Sequence, residues 1–157
     1  MKIISRIAIA AVLSLTCVSA LAIDISEATV NDFVVRKLAE KRHRDLQILD
    51  PRIKLLDGYA TLCATLRSPL VTGDVAFCAD MTPKWKPETA SLHASRMRLV
   101  SFDAPGLREK DVELLKSLIN QIVVPRLEGV EMYRSDDLIG KRISDVKVLP
   151  GRLDISM

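Results

Sequence analysis

The chain has 157 residues, 48% of them hydrophobic and 27% charged, with a formal net charge of +3. That length gives one domain with a continuous core. The charge is too small and too scattered for a nucleic-acid binder, which carries a clear basic excess on one face, and no repeat or low-complexity tract is visible.

The first 22 residues read as an export signal. Lys2 and Arg6 form a short positive segment, and IAIAAVLSL is an apolar run of the length such signals use. It is shorter than the roughly 20 residues that cross a bilayer. Ala20-Leu21-Ala22 matches the small-x-small pattern of a cleavage site, and Val18-Ser19-Ala20 is a second frame. Cys17 offers a lipoprotein alternative, anchored by acyl chains. Against it, Ser14 and Thr16 stand where a lipobox wants an aliphatic and a small residue. The expected working protein is therefore periplasmic, residues 23–157 as a single domain. Loss of Lys2 and Arg6 leaves 21 basic and 20 acidic side chains, a net charge of +1.

Ser26 is placed to cap a helix from Glu27 to about Arg42, with Val30, Phe33, Val34 and Leu38 on one face. The basic run RKLAEKRHR (36–44) could steer toward acidic head groups. Glu40 interrupts it and Asp32 and Asp45 flank it, so it reads more simply as a solvated helix face. Residues 46–56 are extended and broken at Asp50-Pro51. Asp57-Gly58 marks a turn or bulge, because the apolar parity flips there.

Two strands follow, each alternating with period 2. Leu62, Ala64 and Leu66 share one face of the first, and Val75, Phe77 and Ala79 one face of the second. Ser68–Gly73 is the connection. The register that sets Leu66 against Val75 and Ala64 against Phe77 also sets Cys63 against Cys78. In an oxidising compartment this predicts a disulfide, whose loop of about 15 residues is worth roughly 3 kcal/mol in the chain-entropy model. Two free thiols are the alternative.

TPKWKPE (82–88) puts Trp85 between two lysines, at what is expected to be a hairpin tip. Trp with Lys suits a membrane–water interface; an indole folded back over the core end is the more ordinary reading. A strand over about 90–102 ends at Asp103-Ala104-Pro105-Gly106. The helix beyond it, LREKDVELLKSLINQIVVPRL, has Val112, Leu114, Leu115, Leu118, Ile119, Ile122 and Val123 spread over more than a single stripe. Such a helix is expected to be buried against more than one surface, with Pro125 bending or ending it. The tail DVKVLPGRLDIS reads as two short strands about a Pro-Gly turn. Together these predict an α+β domain: a curved antiparallel sheet wrapped around a long apolar helix, with an N-terminal amphipathic helix.

Three segments carry a family resemblance. Ile25-Ser26-Glu27-Ala28-Thr29-Val30-Asn31 is similar to the helix opening of the YceB-like envelope domains, a family of unknown function. Met132-Tyr133-Arg134 resembles that family's Val-Tyr-Arg segment, although Glu131 stands where a proline commonly precedes it. Val146–Ile155 resembles its closing run of valines, Pro-Gly and alternating aliphatics. The resemblance implies a tubular lipid-binding type of fold, in which related branches hold lipophilic molecules between sheet and helix.

On that basis the expected ligand is a lipid or other apolar molecule, held by Leu62, Leu66, Val75 and Phe77 of the sheet and Val112, Leu115, Ile119, Ile122 and Val123 of the helix. The alternative is an envelope structural or protein-interaction domain with a filled core, its partner unknown. No cofactor motif and no catalytic site is legible. His43 and His93 lie on different elements without ligand spacing. No serine sits in a Gly-x-Ser-x-Gly elbow, and Asp136-Asp137 reads as a helix start.

Overall fold

The computed structural model describes residues 22–40, 47–67, 69 and 73–157. Most of the expected signal segment, with Cys17, lies outside those residues, as do His43 and most of the Ser68–Thr72 connection.

The alternating stretches form an antiparallel sheet of five strands in the order β2-β3-β4-β5-β6: β2 (Gln47–Leu55), β3 (Ala60–Arg67), β4 (Val75–Lys86), β5 (Ser91–Asp103) and β6 (Glu131–Arg134). The sheet is strongly curled, a half-barrel, and the domain is α+β with few helices. Between β3 and β4 the register is Leu66 to Val75, Ala64 to Phe77 and Leu62 to Ala79, with Cys63 opposite Cys78. The two cysteines are bonded, their Cα atoms 4.1 Å apart. Their neighbours on the other face are the core: Leu62, Leu66, Val75 and Phe77 are each at most 3% exposed. The alternation of β5 is untidy for a physical reason. Its pairing with β4 shifts twice, between Cys78 and Ala79 and between Asp80 and Thr82, and Arg96 takes a positive φ of 52°.

A second sheet, β1-β8-β7, joins the two ends of the described chain: β1 (Ala22–Ser26), β7 (Asp145–Leu149) and β8 (Arg152–Ser156). The two tail strands about Pro150-Gly151 are as the sequence predicts. β1 is not, because five residues before a helix cap carry too little pattern to declare a strand without knowing their partner.

Between β1 and β2 runs α1 (Glu27–Glu40). The Ser26 hydroxyl accepts the Thr29 N–H at 3.3 Å, so the cap forms as expected. The buried residues of α1 are Val30, Val34 and Leu38. It touches β2 and β6, the two edge strands, and so lies across the opening of the curled sheet. Side chains fasten it at both edges. Toward β6, Phe33 meets Tyr133 with ring centroids 6.3 Å apart, and Lys37 lies 3.9 Å from Glu131. Burial against this contact raises the Tyr133 phenol above its ordinary value. Toward β2, the Asn31 carboxamide accepts the Ile53 N–H at 2.6 Å and donates to the Ile53 carbonyl at 2.7 Å. The Glu27 carboxylate accepts the Leu55 N–H at 2.7 Å. These two side chains supply what a sixth strand would supply.

The second helical stretch differs from expectation. α2 (Glu109–Leu118) passes into a π-helical turn (Ile119–Val123) and then α3 (Val124–Leu127). Pro125 does not end it, since α3 continues to Leu127. Lacking an N–H, the proline cannot bond the carbonyl four residues back. The widened turn preceding it is closed by a bond from the Val124 N–H to the Ile119 carbonyl, five residues apart. Nor is this stretch buried on most sides. Leu115, Ile119, Val123, Val124 and Leu127 are buried, while Leu114 is 64% exposed, Leu118 41% and Ile122 42%. The surplus apolar residues form an outward ridge at four-residue spacing, where sequence reasoning expected a second packing surface. A short helix, α4 (Asp137–Gly140), starts where the paired aspartates predict.

Candidate functional site

One ridge of α1 organises the open part of the molecule. Glu27, Asn31, Val35 and Ala39 follow one another at four-residue spacing, so they line up along one side of the helix. The first two reach the edge of β2 and seal it. The last two have no polar side chain with which to do so, and beside them lies a groove of about 490 Å³. Its walls among the described residues are Val35, Leu38 and Ala39 of α1, Gln47–Arg52 of β2, and Val123, Arg126, Leu127 and Val130 from the π-helical turn, α3 and the residues after it.

β2 is bent where it meets the groove. Its pairing with β3 slips between Leu49 and Arg52, and Asp50 adopts a positive φ of 48°. Aspartate tolerates that left-handed conformation better than most residues, and Pro51 follows it without an N–H to place. The Asp50-Pro51 break legible in the sequence is thus a bulge within a continuing strand. It falls at the groove wall, as bulges beside binding sites often do.

The groove lies between the sheet edge and helices, but only one of the nine expected ligand residues lines it, Val123. Leu62 lines a separate apolar void of about 10 Å³, barely the size of one water. Leu66, Val75, Phe77, Leu115 and Ile119 are packed in the core, Val112 is half-buried, and Ile122 belongs to the outward ridge. Sequence reasoning missed Val35, Ala39 and Arg126 because an open wall has no periodic signal. The one available cue was the Asp50-Pro51 interruption.

Trp85 sits within β4 opposite Leu92, short of the hairpin tip, which is formed by Pro87–Ala90. It is partly buried against the core, and its Nε1 is buried with no hydrogen-bond partner among the described residues.

His93 is tied into a polar chain that the sequence did not reveal. Its Nδ1 lies 2.9 Å from the Gly129 carbonyl and its Nε2 2.7 Å from the Ser91 hydroxyl, which in turn lies 2.6 Å from that of Thr89. A carbonyl can only accept, so Nδ1 donates; with a single ring proton, Nε2 then accepts from Ser91. A serine–histidine contact of this length resembles a nucleophile with its base. However, Ser91 is 0% exposed and lines neither cavity, so the chain of bonds anchors β5 to the turn at Gly129.

Among the described residues no group of three His, Cys, Asp or Glu side chains could hold a metal ion, and no helix is long and apolar enough to cross a membrane. No family model and no curated protein matches this chain.

Proposed function

We propose that this chain is a non-enzymatic periplasmic domain that binds a lipid or other lipophilic molecule between the edge of its curled sheet and its helices. The observation that carries the reading is the groove of about 490 Å³ beside α1, within the range of roughly 300–1,000 Å³ typical of small-molecule sites. The resemblance to YceB-like domains, with the tubular lipid-binding type of fold it implies, points the same way. The export-like first segment and the Cys63–Cys78 bond suit an oxidising compartment. Binding in such a groove is driven by removing apolar chain from water, at about 0.8 kcal/mol per methylene.

The test is native mass spectrometry of protein exported and purified with its own first segment intact. A lipid-mass adduct that disappears on denaturation is expected. Ala39→Trp, which fills the groove from an exposed helix position, removes the adduct while changing stability by less than about 0.5 kcal/mol. A clean chain mass in wild type and variant alike overturns the reading. It would favour the alternative, an envelope interaction domain, for which the exposed Leu114, Leu118 and Ile122 ridge is the supporting observation.

A further inference from the structure

We propose that the ligand is a single-chain amphiphile with an anionic head, a carboxylate or a phosphate monoester, and that Arg52 and Arg126 receive that head. The proposal rests on the groove reading above and narrows it to a chemical class.

The two arginines come from opposite walls, Arg52 from β2 and Arg126 from α3, and both are solvent-exposed where apolar residues such as Leu38 and Leu127 are buried. The groove is therefore graded, apolar toward the core and cationic toward water, as an amphiphile lying with its chain inward would require. Its volume, in the lower half of the usual range, suits one chain better than a multi-chain lipid.

Arg67, Arg98, Arg108, Arg134 and Arg152 each have a carboxylate within ion-pair distance. Among the described residues Arg36, Arg52, Arg96, Arg126 and Arg142 have none, and of these five Arg52 and Arg126 are the two that line the groove. Asp50 is the one acid among the described wall residues, and it also acts electrostatically on Arg67, whose main partner is Asp74. A planar guanidinium presents paired donors that match the oxygens of carboxylate and phosphate alike. Arg126 also occupies the last turn of α3, where any cation offsets the partial negative charge of the helix end. Stability reports that role and ligand preference does not, so the two are separable.

The experiment is calorimetric titration of delipidated full-length protein, at neutral pH, with dodecanoic acid, dodecyl phosphate and dodecan-1-ol below their aggregation limits. Both anions are expected to bind at least about tenfold tighter than the alcohol, a difference that shrinks with added salt. The double variant Arg52→Gln, Arg126→Gln should lose that preference while keeping the alcohol affinity, and its unfolding midpoint should fall only by the small helix-end contribution of Arg126. Preference for carboxylate over phosphate supports a free fatty acid as the source, and the reverse supports a lipid-derived head. Equal binding of anions and alcohol by the wild type overturns the proposal and leaves the groove reading standing. Failure of all three probes to bind removes both.

Discussion

The two halves of β2 share one strand and one hydrogen-bonded neighbour, β3, yet behave differently at their free edge. From Ile53 to Leu55 the outward backbone groups are met by Asn31, by Glu27 and by the Gly151 N–H, which donates to the Leu55 carbonyl at 3.1 Å. From Gln47 to Arg52 the strand bulges and borders the groove. The difference lies on the helix opposite. Along a single ridge of α1 the side chains change from Glu and Asn to Val and Ala, and with them the edge changes from sealed to open. The sealed stretch faces Glu27 and Asn31, and the open stretch faces Val35 and Ala39.

The largest way to disturb this comparison is to remove the covalent tie at the seam. Cys63 pairs with Arg52 on one side and is bonded to Cys78 on the other. Replacing both cysteines by alanine should cost about 3 kcal/mol in denaturant unfolding, with both halves losing amide protection together. Next, Ile119→Phe should cost about 2 kcal/mol, because Ile119 is 1% exposed and its site has no room to spare. Ile122→Phe, three residues on but on the outward ridge, should cost less than about 0.5 kcal/mol. Equal losses would mean that the ridge is packed in solution. Asn31→Ala should cost about 1.5 kcal/mol by stranding both groups of Ile53. Hydrogen exchange should then quicken at Ile53 and leave residues 47–49 unchanged; uniform quickening would show that the two halves are not independent.

What the sequence made legible follows the length and regularity of the signal. The β3–β4 register could be read because setting Cys63 against Cys78 also set Leu62, Ala64 and Leu66 opposite Ala79, Phe77 and Val75. The Ser26 cap and the Pro150-Gly151 turn were local chemistry. The course of the second helix was not legible, since Leu114, Leu118 and Ile122 are as apolar as Leu115 and Ile119, and composition cannot say which side meets the core. The groove was the least legible feature. Its walls come from α1, β2, α3 and the turn after it, which are distant in the chain. Asn31 gave no sign of its role, because an asparagine within a helix becomes a strand substitute only when a bare edge lies beside it.

That substitution has a consequence for how copies of this chain meet one another. A curled sheet with two free edges invites strand addition and hence polymerisation. Here one stretch of the β2 edge is occupied by a helix side chain, and the next is kinked by a bulge and a proline that can donate no bond. The opposite edge, β6, is only four residues long and carries α1 against it. The β2 and β6 edges thus each offer a neighbouring chain few consecutive free backbone groups to template on.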